Sequence, residues 1–309
     1  MSPNHPIKAT RKKKPAAGPA APPWPSYKGD SQFVGTSSNG RVTVYVDASL
    51  GQSGLQNAQD LLNDADRVVA ANDTIFGTTG GPVSVIVFAL GNATDGTGGA
   101  DHMGCDYTTG AAIEVDASFG NSARVSALFE AELSECSMNG NLCGESTGEA
   151  LSRWCAASVS NNALSDFATA PQWAQDGEPD FVNKTDPTDQ NADSTGCGMA
   201  FLSWLMSLGY TLEKIAPAMV ALGDSGTLAQ LYANLTSDTT ANAWPKFQQA
   251  IQGLPNGVNS DDPFGAGQPV QVSRVQSAKP PAAAAKTIKP GTVCEPKSKR
   301  LLPPNKKAA

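Results

Sequence analysis

Histidine is scarce in this chain. Its 309 residues include two, His5 and His102, too few for a zinc site built on several imidazoles. Six cysteines occur, at positions 105, 136, 143, 155, 197 and 294, with no Cys-x-x-Cys pair. Zinc-ribbon and thioredoxin-type readings therefore fall away. No apolar run reaches membrane-spanning length, and no apolar signal-peptide core follows the basic N-terminus. The expectation is a cytoplasmic protein without a transmembrane segment, with export by another route left open. The Gly-rich run 91–107 has neither the lysine nor the spacing of a phosphate loop.

Basic residues are nearly missing from the middle of the chain. Of 22 Lys and Arg, six lie in residues 1–29 and nine in 271–309, whereas of 29 Asp and Glu only Glu295 lies in either stretch. The stretch between holds 7 basic against 28 acidic residues. The net charge of −7 thus hides an acidic body between two basic tails. Such a body disfavours nucleic-acid binding by the folded part. It suits cation binding, cationic ligands or plain solubility. The tails, rich in Ala, Pro and Lys, bury too little apolar surface to offset chain entropy, and they offer a contact for a polyanion. The expected organisation is a disordered basic tail over 1–30, one domain over 31–265, and a disordered Pro/Ala/Lys-rich tail over 266–309.

Periodicity in the body predicts α+β architecture, with a small N-terminal sheet and a helix followed by a mainly helical half. Residues 41–48 alternate Val42, Val44 and Val46 with polar neighbours, as a strand does. Residues 55–71 have helical spacing, 83–90 form an apolar run fit for a buried strand, and 111–117 read as another strand. Helices are predicted over about 122–138, 147–159, 195–208, 211–222, 226–235 and 243–253.

The helix from residue 122 carries the chemistry. Val125, Leu128, Phe129, Glu132, Leu133 and Cys136 recur at one helical face. A carboxylate on such a stripe is costly unless it is paired, hydrogen-bonded, metal-bound or protonated. Glu135 flanks Glu132, and Glu130 points elsewhere, toward solvent on this reading. The segment Ala131-Glu132-Leu133-Ser134-Glu135, with Glu149 in Gly-Glu-Ala-Leu-Ser-Arg, resembles the active-site frame of gluzincin-type zinc metallopeptidases. In those enzymes the frame is His-Glu-x-x-His with a glutamate on the following helix. The run from Thr195 to Leu205 is similar to the closing helix of basic secretory-protein-type peptidases, and the stretch from about Arg41 to Leu254 resembles a group of bacterial proteins with the same arrangement.

The resemblance implies that Glu132 matches the general base, Glu149 the third ligand, and Ala131 and Glu135 the two zinc histidines. It implies a degenerate fold without conventional zinc peptidase activity, serving in ligand or partner binding, with a protein or glycan as the expected ligand. Glu132, Glu135 and Glu149 are the candidate catalytic and metal-binding residues, suiting Ca, Mg or Mn rather than Zn. His102, Trp173 and Arg153 are the candidate ligand-binding residues, and Trp173 is expected to line a cleft. The bland alternative is that the glutamates satisfy Arg153, Arg124 or helix termini.

Three readings follow: a non-cleaving binding protein, a hydrolase of peptides or glycans using Glu132 as base with a bound metal or a second carboxylate, and a tether acting through its tails. A fourth, thiol catalysis, places Cys197 in the first turn of a helix with His102 as base. Gly196 and Gly198 point instead to close helix packing there. Cys136 and Cys143 fit either a small disulfide loop or free thiols. Asp95, Asp101 and Asp106 with His102 make a possible metal or ligand edge. Asp193 or Ser194 is expected to cap the helix near Thr195, and Asn72, Asn92, Asn183 and Asn234 are glycosylation sequons.

Overall fold

The computed structural model describes residues 18–103, 110–160 and 169–267. Five strands form one mixed sheet: β1 (Ser31–Thr36), β2 (Val42–Asp47), β3 (Val83–Phe88), β4 (Ala100–Met103) and β5 (Ala111–Asp116). Their order across the sheet is β1-β2-β3-β5-β4. β2, β3 and β5 run parallel, and the edge strands β1 and β4 pair antiparallel to them. Eight helices complete the described fold: α1 (Gly51–Phe76), α2 (Ser122–Ser137), α3 (Ser146–Val159), α4 (Ala170–Gln175), α5 (Ala192–Ser207), α6 (Leu212–Leu222), α7 (Leu228–Thr236) and α8 (Ala243–Gln252). The architecture is α+β, as the periodicity predicts. No helix among the described residues is long and apolar enough to cross a membrane.

Alternation in the strands divides the sheet into two faces. Val42, Val44, Val46, Val83, Val85, Val87, Ile113 and Val115 point into the main core with α1 and α2. Tyr45, Ile86 and Ala112 point to the other face. That outer face is covered by residues 18–30, which therefore do not belong to a tail. Trp24 and Tyr27 are buried against Tyr45 and Phe88, and Ser26 and Tyr27 reach Glu114. The Ser26 amide donates to Glu114 Oε1 at 2.9 Å, the Ser26 hydroxyl to Oε2 at 2.7 Å, and the Tyr27 amide to Oε1 at 2.6 Å. Two aromatic anchors and a buried carboxylate hold a segment whose composition alone reads as linker. The remaining tail residues, 1–17 and 268–309, lie outside the described residues.

The Gly-rich run is not all loop, since residues 100–103 form β4. Asp116 at the end of β5 clips the approach to this strand. Its carboxylate accepts from the Leu90 amide at 3.1 Å and the Gly98 amide at 3.0 Å. Burial raises Asp116 to about 6, against the pull of these amides. A Cβ on Gly98 would lie 2.0 Å from the Leu90 carbonyl oxygen, so this crossing requires glycine.

In the helical half, Gly196 lets α5 approach α4. A Cβ there would meet the Thr169 carbonyl oxygen at 2.2 Å. Close packing thus accounts for this glycine, as expected. Helix α5 begins at Ala192 and is capped by Asn191, whose side chain accepts from the Asp193 amide. The expected caps, Asp193 and Ser194, lie inside its first turn.

Candidate metal centre

Helix α2 is buried from Arg124 to Ser137, packed against the sheet, α1 and α3. One of its faces meets β4. His102 pairs with Ile113 across the β4–β5 ladder and points, like Ile113, into the interior. Glu132, Glu135 and Cys136 sit at i, i+3 and i+4 on α2 and so share the face that meets His102. One ligand atom from each of His102, Glu132 and Glu135 lies within 4.8 Å of the others, and all three residues are buried. His102 Nε2 is 3.4 Å from Glu135 Oε2. Its other nitrogen, Nδ1, is 3.4 Å from Cys136 Sγ.

This arrangement corrects the sequence-based ligand set. Glu149 stands outside the cluster. It lies in the first turn of α3, and Arg153 Nε, one turn on, donates to its Oε1 at 2.7 Å. Both side chains are buried, and Arg153 is engaged with Glu149 within the fold. Here the bland alternative is what the structure contains. The cluster instead takes His102, which the sequence places in a loop.

Trp173 does not line a cleft. It is fully buried, stacked on Phe247 at 5.9 Å, and its Nε1 donates to the Pro179 carbonyl at 2.9 Å. Glu130 is not solvated. It is fully buried toward α1 and α3, and both its oxygens lack a hydrogen-bond partner among the described residues. Burial pushes its carboxyl well above the usual range, against the pull of Arg67.

The thiol readings also resolve. Cys136, Cys155 and Cys197 are free thiols, so Cys136 does not close a disulfide with Cys143. Cys197 is fully buried, its thiol is pushed far up by that burial, and the thiol facing His102 is Cys136. That removes the basis for a Cys197 nucleophile activated by His102. The Cys136 thiol is likewise held well above its ordinary range, by burial first and by the nearby Glu132 charge second. Asp95 accepts from the Thr97 amide and hydroxyl, and Asp106 lies outside the described residues. The Asn72 sequon is buried in α1, its side chain donating to Ser137 Oγ, so glycan attachment there is incompatible with this fold.

The Cys136–His102 contact is what sequence reasoning missed. The signal was present on one side only: Glu132 and Cys136 both lie on the predicted apolar stripe. The other half required knowing that His102 stands in a strand.

No known family model and no curated protein matches the chain.

The donor set fits a divalent cation. Two carboxylates in a buried space need positive charge or protons, and an imidazole adds a nitrogen ligand. That nitrogen changes the expected metal. Three glutamates favour Ca, Mg or Mn, whereas one imidazole with two carboxylates also suits Zn or Fe.

Proposed function

We propose that this chain is a metallopeptidase-like protein that binds a divalent cation through His102, Glu132 and Glu135, and that it serves in ligand or partner binding without conventional zinc peptidase chemistry. The observation that carries the proposal is the convergence of these three buried groups, from β4 and two successive turns of α2. The likeness to the peptidase frame draws on the order of elements. A mixed sheet ends in an antiparallel edge strand, and the next helix carries Glu132 and Glu135. The departure draws on Ala131 and on Glu149, which is committed to Arg153. When bound, a divalent cation would supply Lewis-acid polarisation of a coordinated oxygen. The chain's own groups would hold it in a buried setting. A glycan or protein ligand remains the proposed partner class, and the tails offer a separate contact for a polyanion.

A second reading uses the same cluster. His102 and Glu135 form a direct pair, and Glu132 stands beside both. If those two held the cation, Glu132 would be placed as a general base for hydrolysis.

Elemental analysis of the tag-free protein by mass spectrometry tests the proposal, with Glu135→Gln and Glu132→Gln alongside. We expect about one equivalent of Mn, Fe or Zn in the wild type, lost in Glu135→Gln. Protein offered these metals that retains none sinks the cation reading. Turnover of a peptide or glycan by wild type, lost in Glu132→Gln, replaces the binding reading with the hydrolase.

A further inference from the structure

The imidazole of His102 is gripped at both nitrogens by one turn of α2. Glu135 lies 3.4 Å from Nε2, and Cys136 Sγ lies 3.4 Å from Nδ1. A neutral imidazole carries one proton and one lone pair, on opposite nitrogens. A cation held with Glu132 and Glu135 needs the lone pair on Nε2, the nitrogen that faces Glu135. The proton must then sit on Nδ1, which requires an acceptor there. Such partners of metal-bound histidines are usually carboxylates, backbone carbonyls or water. Here the neighbour is a thiol.

Cys136 is suited to that place. It is fully buried, with its Sγ 3.4 Å from Nδ1. A neutral thiol both donates and accepts weakly. It can give its S–H to Nδ1 when Nε2–H faces Glu135, and accept Nδ1–H when Nε2 turns its lone pair to a cation. A carboxylate would fix one tautomer, whereas the sulfur serves both. The i, i+4 spacing of Glu132 and Cys136 makes a single rigid helix the source of a ligand and of the group that orients another ligand.

We propose that Cys136 is the positioning residue of the cation centre, setting the tautomer and orientation of His102. The inference rests on the cation reading above and names the residue that regulates that site's affinity. It assigns a use to a cysteine that would otherwise be one more apolar core position.

Calorimetric titration of the full chain with Mn²⁺ and Zn²⁺ tests it, using wild type, Cys136→Ala, Cys136→Ser and Cys155→Ala. Cys155 is an equally buried thiol on α3 and serves as the packing control. We expect Cys136→Ala to bind about 10–100-fold more weakly. Cys136→Ser, whose hydroxyl also donates and accepts, should recover most of the loss. Cys155→Ala should lower thermal stability comparably without changing affinity. A merely structural role predicts that both alanine variants behave alike.

Imidazole ¹⁵N spectra give a readout that survives if Cys136→Ala folds poorly. With two histidines in the chain, the signals of His102 are readily assigned. In the loaded wild type His102 should carry its proton on Nδ1, and Cys136→Ser should preserve that state. Wild type that binds neither metal overturns the cation reading and this inference with it. Wild type that binds, with Cys136→Ala binding equally tightly or His102 protonated on Nε2, overturns the positioning role alone.

Discussion

Helices α2 and α3 both bury glutamates, and they treat them differently. On α3, Glu149 faces a permanent cation of its own helix, Arg153 at 2.7 Å. On α2, Glu132 and Glu135 face an imidazole delivered from another element, β4. A fixed guanidinium satisfies a carboxylate for good. An imidazole can change its protonation and release a carboxylate to something else. The peptidase resemblance treats Glu135 and Glu149 alike, as occupants of ligand positions. Their neighbours separate a structural residue from a candidate functional one.

The sharpest way to break this comparison is at Glu149. Replacing it by Ala leaves a buried guanidinium without its helix partner, which typically costs about 3–5 kcal/mol. The lower end is expected, because Asp261 also attracts Arg153. Cation binding by the folded fraction should be unchanged, as judged by urea unfolding beside metal titration. Loss of the cation with intact stability would return Glu149 to the ligand set.

A smaller effect is expected at Glu114, a buried carboxylate on the outer face. Its three donors all come from Ser26 and Tyr27, and hydrogen bonds to a charged group contribute about 1.5–3 kcal/mol. Glu114→Ala should destabilise by about 3 kcal/mol in urea. It should also open the exposed Lys28 to trypsin, while leaving the centre on the inner face intact.

Glu130 sharpens the comparison from the other side, as a buried carboxyl near Arg67 but with no hydrogen-bonded partner among the described residues. Its carboxyl ionises at higher pH in the folded state than in the unfolded one. Between those points the unfolded chain has lost the proton and the folded chain keeps it, so stability falls as pH rises. The window opens near the ordinary carboxyl value and extends upward to the raised folded value. The slope from this group is at most about 1.4 kcal/mol per pH unit. Unfolding curves from pH 4 to 8 should show the decline in wild type and a flatter profile in Glu130→Gln. Equal slopes would mean that Glu130 is ionised in the folded state and held by partners.

Much of this was legible in the sequence, and the limits have physical causes. The strands β2, β3 and β5 and most helices follow from alternation and helical spacing, because burial on one face imposes a period. Glu132 was legible as an anomaly on an apolar stripe. β4 was not, since four residues are too few for a period and glycines surround them. Without β4 there was no reason to bring His102 to α2, and the ligand set defaulted to Glu149. Glu130 was misread because helix spacing marks the most buried face and says nothing about a second layer of helices covering the others. The segment 18–30 was misread because composition reports average behaviour, whereas two aromatics and one distant carboxylate fix this segment.

That last feature also orders the assembly of the molecule in time. Ser26 and Glu114 are 88 residues apart, so the N-terminal segment, which also packs on Tyr45 and Phe88, lacks its carboxylate anchor until β5 exists. Contacts that close loops of this length are costly to form early. The carboxylate anchor of this segment is therefore expected to form after its aromatic contacts with β2. Until the segment docks, a face carrying Tyr45, Ile86 and Ala112 stays open to water and to neighbouring chains.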